Sequence, residues 1–415
     1  MPTVDLESKT AKKPPVSRTD TSFSPLRQLR IAMIGQKGLP ATYGGVEHHV
    51  ENLSVGLTSL GHKVTVFCRR YYCSEIDKHL NVETTGPLTY SYKGLDLRIV
   101  KSLKTKHLDA ITHATLSTLI ALRDDFDIIH FHGIGPSFVS FVPRLFAKKV
   151  VATVHAFDFR QKKWGRFAKF CLRMGLKSAV TFPQKTICVS KTILGSLGGC
   201  KNTVYIPNGV KEPYVWSSNE LDWIRSRGLE PGKYILFVGR LIEDKCCHLL
   251  SRVVKEIDDG LKLAVAGESS FTDGYVERLK RSAGPNTIFL GNVYNEKLSA
   301  LYANCALFVL PSSVEGLPIV LIEAMKHGAP ALVSDIPENM EILNSAGAYK
   351  PVGISFKNKD FESLKRAITE NLARPEFLHL IAKNAINYVN ENYNWQTIVK
   401  DTQSAYFDAL GVMDV

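Results

Sequence analysis

Two carboxylates, Glu315 and Glu323, stand eight positions apart in the run Ser312-Ser313-Val314-Glu315-Gly316-Leu317-Pro318-Ile319-Val320-Leu321-Ile322-Glu323-Ala324. Pro318 suits a first helical turn, so Glu315 falls in the loop before a helix and Glu323 on its second turn. Ile319, Val320, Ile322 and Ala324 make that helix start apolar, and a carboxylate buried there needs hydrogen-bond donors. Vicinal hydroxyls of a ribose supply two at once. Glu315, beside Gly316, can take hydroxyls of a sugar in the same way, while the backbone amides of Gly316, Leu317 and Ile319 face an anion. A solvent-facing Glu323 is the plain alternative, and its apolar flanks weigh against it.

Other loops with chemistry follow short apolar runs. Tyr234–Val238 ends in Gly239-Arg240-Leu241-Ile242-Glu243-Asp244-Lys245. An Arg and a Lys on one loop can clamp a diphosphate and stabilise the charge that grows on it as a leaving group. Surface ion pairs with Glu243 and Asp244 are the competing reading. Leu29–Ile34 is followed by Gly38-Leu39-Pro40-Ala41-Thr42-Tyr43-Gly44-Gly45, which opens a helix at Val46 and Glu47. Paired glycines let backbone amides approach an anion, and a flexible connection is the alternative. The spacing is not G-x-G-x-x-G, Cys68-Arg69-Arg70 puts no acid at the end of the second strand, and no Lys-Ser/Thr closes the loop. A dinucleotide fingerprint and a P-loop are both disfavoured. Asp125-Phe126-Asp127 has the D-x-D form of a metal-binding element but precedes the strand Ile128–His132, at the end away from the expected site. His130 and His132 read as strand packing, and no metal site is expected.

These loops need a scaffold that presents them at one edge. Strand and helix alternate along the chain, which predicts parallel sheets with helices on both faces. After Leu29–Ile34 comes a helix over Val46–Leu60 with Val50, Leu53, Leu57 and Leu60 on its apolar face. Strands are expected at Lys63–Cys68, Leu97–Val100, Ile128–His132, Lys149–His155, Thr186–Val189 and Thr203–Ile206. The alternation restarts with Tyr234–Val238, Leu261–Ala266, Thr287–Leu290, Ala306–Leu310 and Ala331–Ser334, after turn chemistry at Asn208-Gly209. The expected organisation is a disordered tail over 1–28, a Rossmann-like domain over 29–210, a second over 211–390, and a helical segment over 391–415 that crosses back to the first.

Composition agrees with a globular protein of more than one core: 415 residues, 45% hydrophobic and 22% charged. No run of 18 apolar residues is present, and the first 30 residues lack the apolar stretch of a secretory signal. Eight cysteines without a C-x-x-C pair fit a reducing, cytoplasmic compartment. A net charge of +12 suits an anionic partner, whether nucleotide, nucleic acid or acidic membrane.

The motifs together resemble the retaining family 4 glycosyltransferases of GT-B fold. Glu315 and Glu323 match that family's E-x7-E element, and Gly239-Arg240-Leu241 with Lys245 looks like its diphosphate clamp. Ile206-Pro207-Asn208-Gly209-Val210 is similar to the interdomain segment, and Gly44-Gly45 with Glu47 to the first-domain phosphate loop. Thr153-Val154-His155-Ala156-Phe157-Asp158 resembles the segment whose histidine lies against the transferred sugar. Lys163-Trp164-Gly165-Arg166-Phe167-Ala168 looks like bacterial rhamnosyltransferase-like members that build surface polysaccharides. The resemblance implies two Rossmann-like domains facing each other across a cleft. It implies metal-independent transfer, without a cofactor, of a hexose or deoxyhexose from a nucleotide-diphosphate sugar to a glycan or lipid-linked acceptor, with retention. By the same resemblance Arg240 and Lys245 hold the diphosphate, Glu323 the ribose and Glu315 the donor sugar; His155 sits near the anomeric centre, and Val293 falls where backbone atoms contact the base. Uridine, guanosine and thymidine donors all fit. A GT-B epimerase or hydrolase and a non-catalytic nucleotide-sugar binder remain as alternatives. A nucleic-acid binder does not explain the glutamate pair, because carboxylates repel phosphate backbones.

From Arg160 to Lys177 there are seven basic residues (Arg160, Lys162, Lys163, Arg166, Lys169, Arg173, Lys177) and no acidic one. On a helix, Phe167, Phe170, Cys171 and Met174 form an apolar stripe beside the basic face. Such a helix either rests on an anionic membrane, placing the protein peripherally on the inner face of the cell membrane, or packs on the first domain with a solvated basic face.

Overall fold

The computed structural model describes residues 27–41, 44–72, 83–86, 89–103, 105, 109–161, 164–257, 260–268 and 273–412. The tail over 1–26, Thr42, Tyr43, Cys73, Lys162, Lys163 and the last three residues lie outside that set.

The first sheet contains β1 (Arg30–Ile34), β2 (Lys63–Arg69), β3 (Glu83–Gly86), β4 (Thr89–Tyr92), β5 (Leu95–Val100), β6 (Ile128–His132), β7 (Lys149–Val154), β8 (Lys185–Cys188) and β9 (Thr203–Tyr205). Their order is β3-β4-β5-β2-β1-β6-β7-β8-β9. Its helices are α1 (Gly45–Ser59), α2 (Asp109–Ala121), α3 (Phe141–Leu145), α4 (Arg166–Thr181) and α5 (Lys191–Ser196). The second sheet contains β10 (Tyr234–Val238), β11 (Lys262–Ala266), β12 (Thr287–Gly291), β13 (Leu307–Leu310), β14 (Ala331–Ser334) and β15 (Ile354–Phe356), in the order β12-β11-β10-β13-β14-β15. Around it lie α6 (Ser218–Ser226), α7 (Cys247–Glu256), α8 (Asp273–Ser282), α9 (Asn295–Ala303), α10 (Ile319–Lys326), α11 (Pro337–Asn344), α12 (Phe361–Leu372) and α13 (Pro375–Asn392).

Alternate residues of the central strands enter different cores, as parallel strands covered on both faces require. Ile31 and Met33 join the cluster formed with α1, whereas Ala32 and Ile34 join the one on the opposite face with Phe67 and Phe131. In the second sheet Ile235 and Phe237 pack with α7, and Tyr234, Leu236 and Val238 pack with α10. That last cluster runs on into the first domain through Ile134, Val154, Phe157 and Val210.

Three expectations need correction. The first sheet is not purely parallel: β3 pairs with β4, and β4 with β5, in antiparallel register. An edge meander of this kind carries no long apolar run, since β4 is Thr-Tyr-Ser-Tyr. Arg27 and Gln28, assigned to the tail, are fastened to the first domain, Arg27 to Asp127 at 2.7 Å and Gln28 to the Gly61 carbonyl at 2.6 Å. The C-terminal helix α14 (Trp395–Leu410) begins four residues later than 391, after a break at Tyr393-Asn394 where the Val210 amide donates to the Tyr393 carbonyl. Its Ile398, Val399, Tyr406 and Phe407 belong to the first domain's core, and the Tyr406 hydroxyl pairs with His130 Nδ1 at 2.7 Å.

In both sheets the order reverses beside the first strand, between β1 and β6 and between β10 and β13. Crevices beyond the carboxyl ends of strands at such points are where open α/β sheets take ligands.

Candidate active site

The two crevices face each other. A Cβ on Gly45, at the start of α1, would lie 3.2 Å from Ile319 Cδ1, at the start of α10, so two helix N-termini converge across the interface. The Gly316 loop meets the backbone after β7 at His155. Among the described residues the amides of Gly316, Leu317 and Ile319 donate to no protein carbonyl, as is usual for the first amides of a helix and the loop before it. The Leu317 side chain is buried and anchors this loop in the core.

Lys245 and Glu315 are ion-paired. Both expected ligands of the donor are therefore present and already neutralise each other. Arg240 is exposed, with no ion pair among the described residues, and its charge reaches Lys37 on the first domain. Burial pulls the Lys37 ammonium down, Glu47 opposes this, and Arg69 and Arg240 add to it, so several cations share one crevice.

Gly44 and Gly45 open α1 as expected, with Gly44 at φ +97°. A Cβ there would lie 2.2 Å from Glu47 Oε2, so Gly44 makes room for a carboxylate. Glu47 Oε1 accepts the Lys37 amide at 3.1 Å. Glu47 is thus committed to its own loop, and its charge offsets part of the pull that this helix start has for a phosphate.

Glu323 is part-buried on α10, and one long contact, from the Tyr302 hydroxyl at 3.5 Å, reaches its carboxylate. Burial pushes its pKa up to about 7, against opposing pulls from the Lys211 charge and Tyr302. A carboxylate so short of donors is suited to a diol. Val293 is buried just after β12, whose last residue, Gly291, sits at φ +69°. The loops after β10, β11 and β12 interlock: a Cβ on Gly267 would lie 2.1 Å from the Gly239 carbonyl, and Asn292 donates to Glu268 at 3.0 Å.

His155 has neighbours that the sequence did not reveal. His132 Nδ1 lies 3.3 Å from His155 Nε2, and the His49 ring meets the His155 ring edge-on at 4.8 Å. Burial holds all three imidazoles below their usual range, His49 at about 4. His49 is four residues beyond Gly45 and so on the same face of α1, a local signal that could have found it. His130 is fully satisfied, by Tyr406 and by Thr153 at 2.7 Å, as strand packing predicts. Asp127 accepts the Arg30 amide at 2.8 Å beside the amino end of β1, far from these loops along the strands.

Known proteins match along the same division. A family model described as Glycosyltransferase Family 4 matches residues 43–212, and one described as Glycosyl transferases group 1 matches residues 220–388. An uncharacterized glycosyltransferase of Methanocaldococcus jannaschii is 27% identical over 405 residues, spanning 93% of this chain and 100% of its own. Sucrose-phosphate synthase from Thermosynechococcus elongatus superposes with a TM-score of 0.76 at 20% identity, over 93% of this chain and all of that one. The Anabaena protein HepE, solved in complex with UDP-glucose, superposes with a TM-score of 0.73 at 17% identity, over 91% of this chain and all of that one. The chain carries a family 4-type glycosyltransferase domain followed by a group 1 glycosyl transferase domain, the two halves of a GT-B fold.

Proposed function

We propose that this protein is a retaining, metal-independent glycosyltransferase moving a hexose or deoxyhexose from a nucleoside-diphosphate sugar to a glycan or lipid-linked acceptor. The observation that carries this reading is Glu323: a part-buried carboxylate short of donors, on the helix that opens beside the Lys245–Glu315 pair. A ribose diol satisfies it, with the diphosphate directed toward Arg240 and Lys245. As Lys245 turns to phosphate, Glu315 is released to accept hydroxyls of the donor sugar. HepE's complex with UDP-glucose supports a nucleotide sugar as donor.

In the transfer step the bond from the anomeric carbon to the diphosphate oxygen breaks, and its electron pair stays on that oxygen. Arg240, Lys245 and the free amides stabilise the growing charge. The acceptor hydroxyl adds to the same face, and its proton passes to the departing diphosphate. His155, kept neutral by burial, orients the sugar through hydrogen bonding without adding a positive charge beside an oxocarbenium-like centre.

The exposed surface supports a lipid-linked acceptor and peripheral attachment to an anionic membrane, on the cytoplasmic side. Helix α4 packs its small residues Gly175, Ser178 and Ala179 inward and leaves Phe167 80% and Phe170 58% exposed beside Arg166, Arg173 and Lys177. Leu145 and Phe146, at the end of α3, are exposed as well. Arg70, Lys101, Leu103, Ile111 and Leu116 line a cavity of about 820 Å³ at the carboxyl edge of the first sheet. No helix among the described residues is long and apolar enough to cross a membrane.

The test is nucleoside-diphosphate release from UDP-, GDP- and dTDP-sugars in EDTA, with and without a bacterial lipid-linked acceptor fraction. Release from one donor that rises with acceptor is expected. Release that requires added metal overturns metal independence, acceptor-independent release favours a hydrolase, and tight donor binding with no turnover favours a binding protein.

A further inference from the structure

His49 comes from α1, His132 from the end of β6 and His155 from the loop after β7, and the sheet order β1-β6-β7 brings all three together. Each offers a ring nitrogen, and these nitrogens all lie within 4.8 Å of one another. His132 Nδ1 and His155 Nε2 are 3.3 Å apart, about the separation of two ligands on one tetrahedral zinc with Zn–N bonds of roughly 2.0–2.1 Å. His49 is 4% exposed, yet neither of its nitrogens makes a well-formed hydrogen bond among the described residues, and the Asn208 side chain lies near enough to interact with the ring. Buried polar atoms are normally well paired, so an imidazole this poorly satisfied beside two others calls for an explanation. His130 next door shows the ordinary alternative, with both nitrogens bonded to hydroxyls.

We propose that His49, His132 and His155 form a binding site for a borderline-soft divalent cation, zinc above all, and that its occupancy inhibits the enzyme. Three imidazoles without a carboxylate disfavour magnesium and calcium, which take oxygen ligands. They make the three-His set that binds zinc with water in the fourth position. The cation takes the ring nitrogen by which His155 would contact the donor sugar, so it competes with a transfer that itself needs no metal. This second half rests on the proposed glycosyltransferase activity; the binding does not.

The experiment uses the untagged full chain, stripped with chelator and titrated with zinc by calorimetry and with Co2+ by visible absorption. One saturable equivalent is expected for each, with the intense ligand-field bands of a four-coordinate Co2+ site, and no heat with Mg2+. His49→Phe and His132→Phe are each expected to weaken zinc binding at least tenfold. A wild-type chain that takes up neither zinc nor Co2+ in stoichiometric amount overturns the site, as does uptake unchanged in both variants. Because the Co2+ spectrum is read on wild-type protein, a variant that fails to fold does not rescue the idea. In the activity arm, turnover with zinc is divided by turnover in EDTA. Wild type is expected to lose at least tenfold and His49→Phe to lose little. Stoichiometric binding with an unchanged ratio overturns the inhibition alone, and absence of turnover in EDTA counts against the transferase reading while the titration still decides the site.

Discussion

Lys245 Nζ and Glu315 Oε1 lie 2.5 Å apart, with side chains only 14% and 8% exposed, although they come from loops 70 residues apart in the chain. Each is the other's counter-ion in the donor-free protein, and each is proposed to act on a different part of the donor. Removing one member of a well-shielded pair strands the other charge, at a cost of about 3–5 kcal/mol. Lys245→Met and Glu315→Gln are therefore each expected to lower both thermal stability and turnover. Lys245→Met combined with Glu315→Gln is expected to recover most of the stability and none of the turnover. Melting curves and donor turnover on the four proteins of the cycle check this, and a double variant with restored activity would remove both residues from the site.

Arg240 presents the opposite case. It is exposed and has no ion pair among the described residues, and its charge acts on Lys37 only as a repulsion, so losing the guanidinium removes no attractive contact of that kind. Arg240→Ala is expected to leave the melting temperature within a degree or two while turnover drops on the order of 100- to 1000-fold, as for loss of a charge-stabilising donor. Near-normal turnover sinks its role on the leaving group.

Glu323 should make the protein trade stability for donor binding. Its folded pKa, about 7, is above the ordinary 4.5, so burial penalises the ionised form. Below pH 4.5 the carboxyl is protonated in both folded and unfolded chains and costs nothing. As pH rises from 4.5 through 7 the unfolded chain ionises more readily, and above 7 the full penalty, at most about 3 kcal/mol, is present. Glu323→Gln is expected to raise the melting temperature of the donor-free protein at pH 8 and to change it little at pH 4. The donor KM of wild type is expected to rise as pH falls below 7, while the variant shows a high KM without that dependence. A variant no more stable at pH 8 would show that the carboxyl is not held short of partners.

The contrast between these residues explains what a linear sequence discloses. Glu315 and Glu323 sit on one loop and the helix it opens, so their spacing carries their chemistry. The runs Tyr234–Val238 and Ala331–Ser334 are strands over the residues read from sequence, because buried parallel strands are continuously apolar. Thr89-Tyr90-Ser91-Tyr92 pairs one strand in from the sheet's edge, where half-exposed residues give no such run. His155 was placed near the anomeric centre and His132 was read as strand packing, but their meeting with His49 depends on strand order, which no local spacing encodes. Glu47 was read as part of a phosphate loop, but its bond to the Lys37 amide depends on how that loop folds back.

Gly316 lies at a tight contact between the domains. A Cβ there would fall 2.1 Å from the His155 carbonyl oxygen and 2.9 Å from Ala156 Cβ, against backbone on one side and a short side chain on the other. Neither can step aside, so Gly316→Ala must part the two loops. The expected result is at least a tenfold loss in turnover with a modest loss of stability, since closing this interface is what places Glu315 beside His155. Donor affinity at the nucleoside end, measured with the nucleoside diphosphate alone, is expected to change less than threefold. A variant with full turnover would show that the domains do not close at this point during transfer.

The outward face of α4 decides between a membrane surface and a solvated helix. Phe167 and Phe170 are 80% and 58% exposed, so replacing both with Ser removes little packing and is expected to leave the melting temperature nearly unchanged. Two phenyl rings inserted at a bilayer interface, backed by Arg166, Arg173 and Lys177, contribute both apolar burial and attraction to anionic lipid. Wild type is expected to float with vesicles containing anionic phospholipid and not with neutral ones, and to be released as salt rises. Phe167→Ser/Phe170→Ser is expected to cut flotation at least fivefold while turnover on a water-soluble acceptor is retained. Failure of the wild type to float on anionic vesicles at low salt would leave α4 an ordinary exposed helix, and the lipid-linked acceptor would then have to reach the cleft without membrane docking.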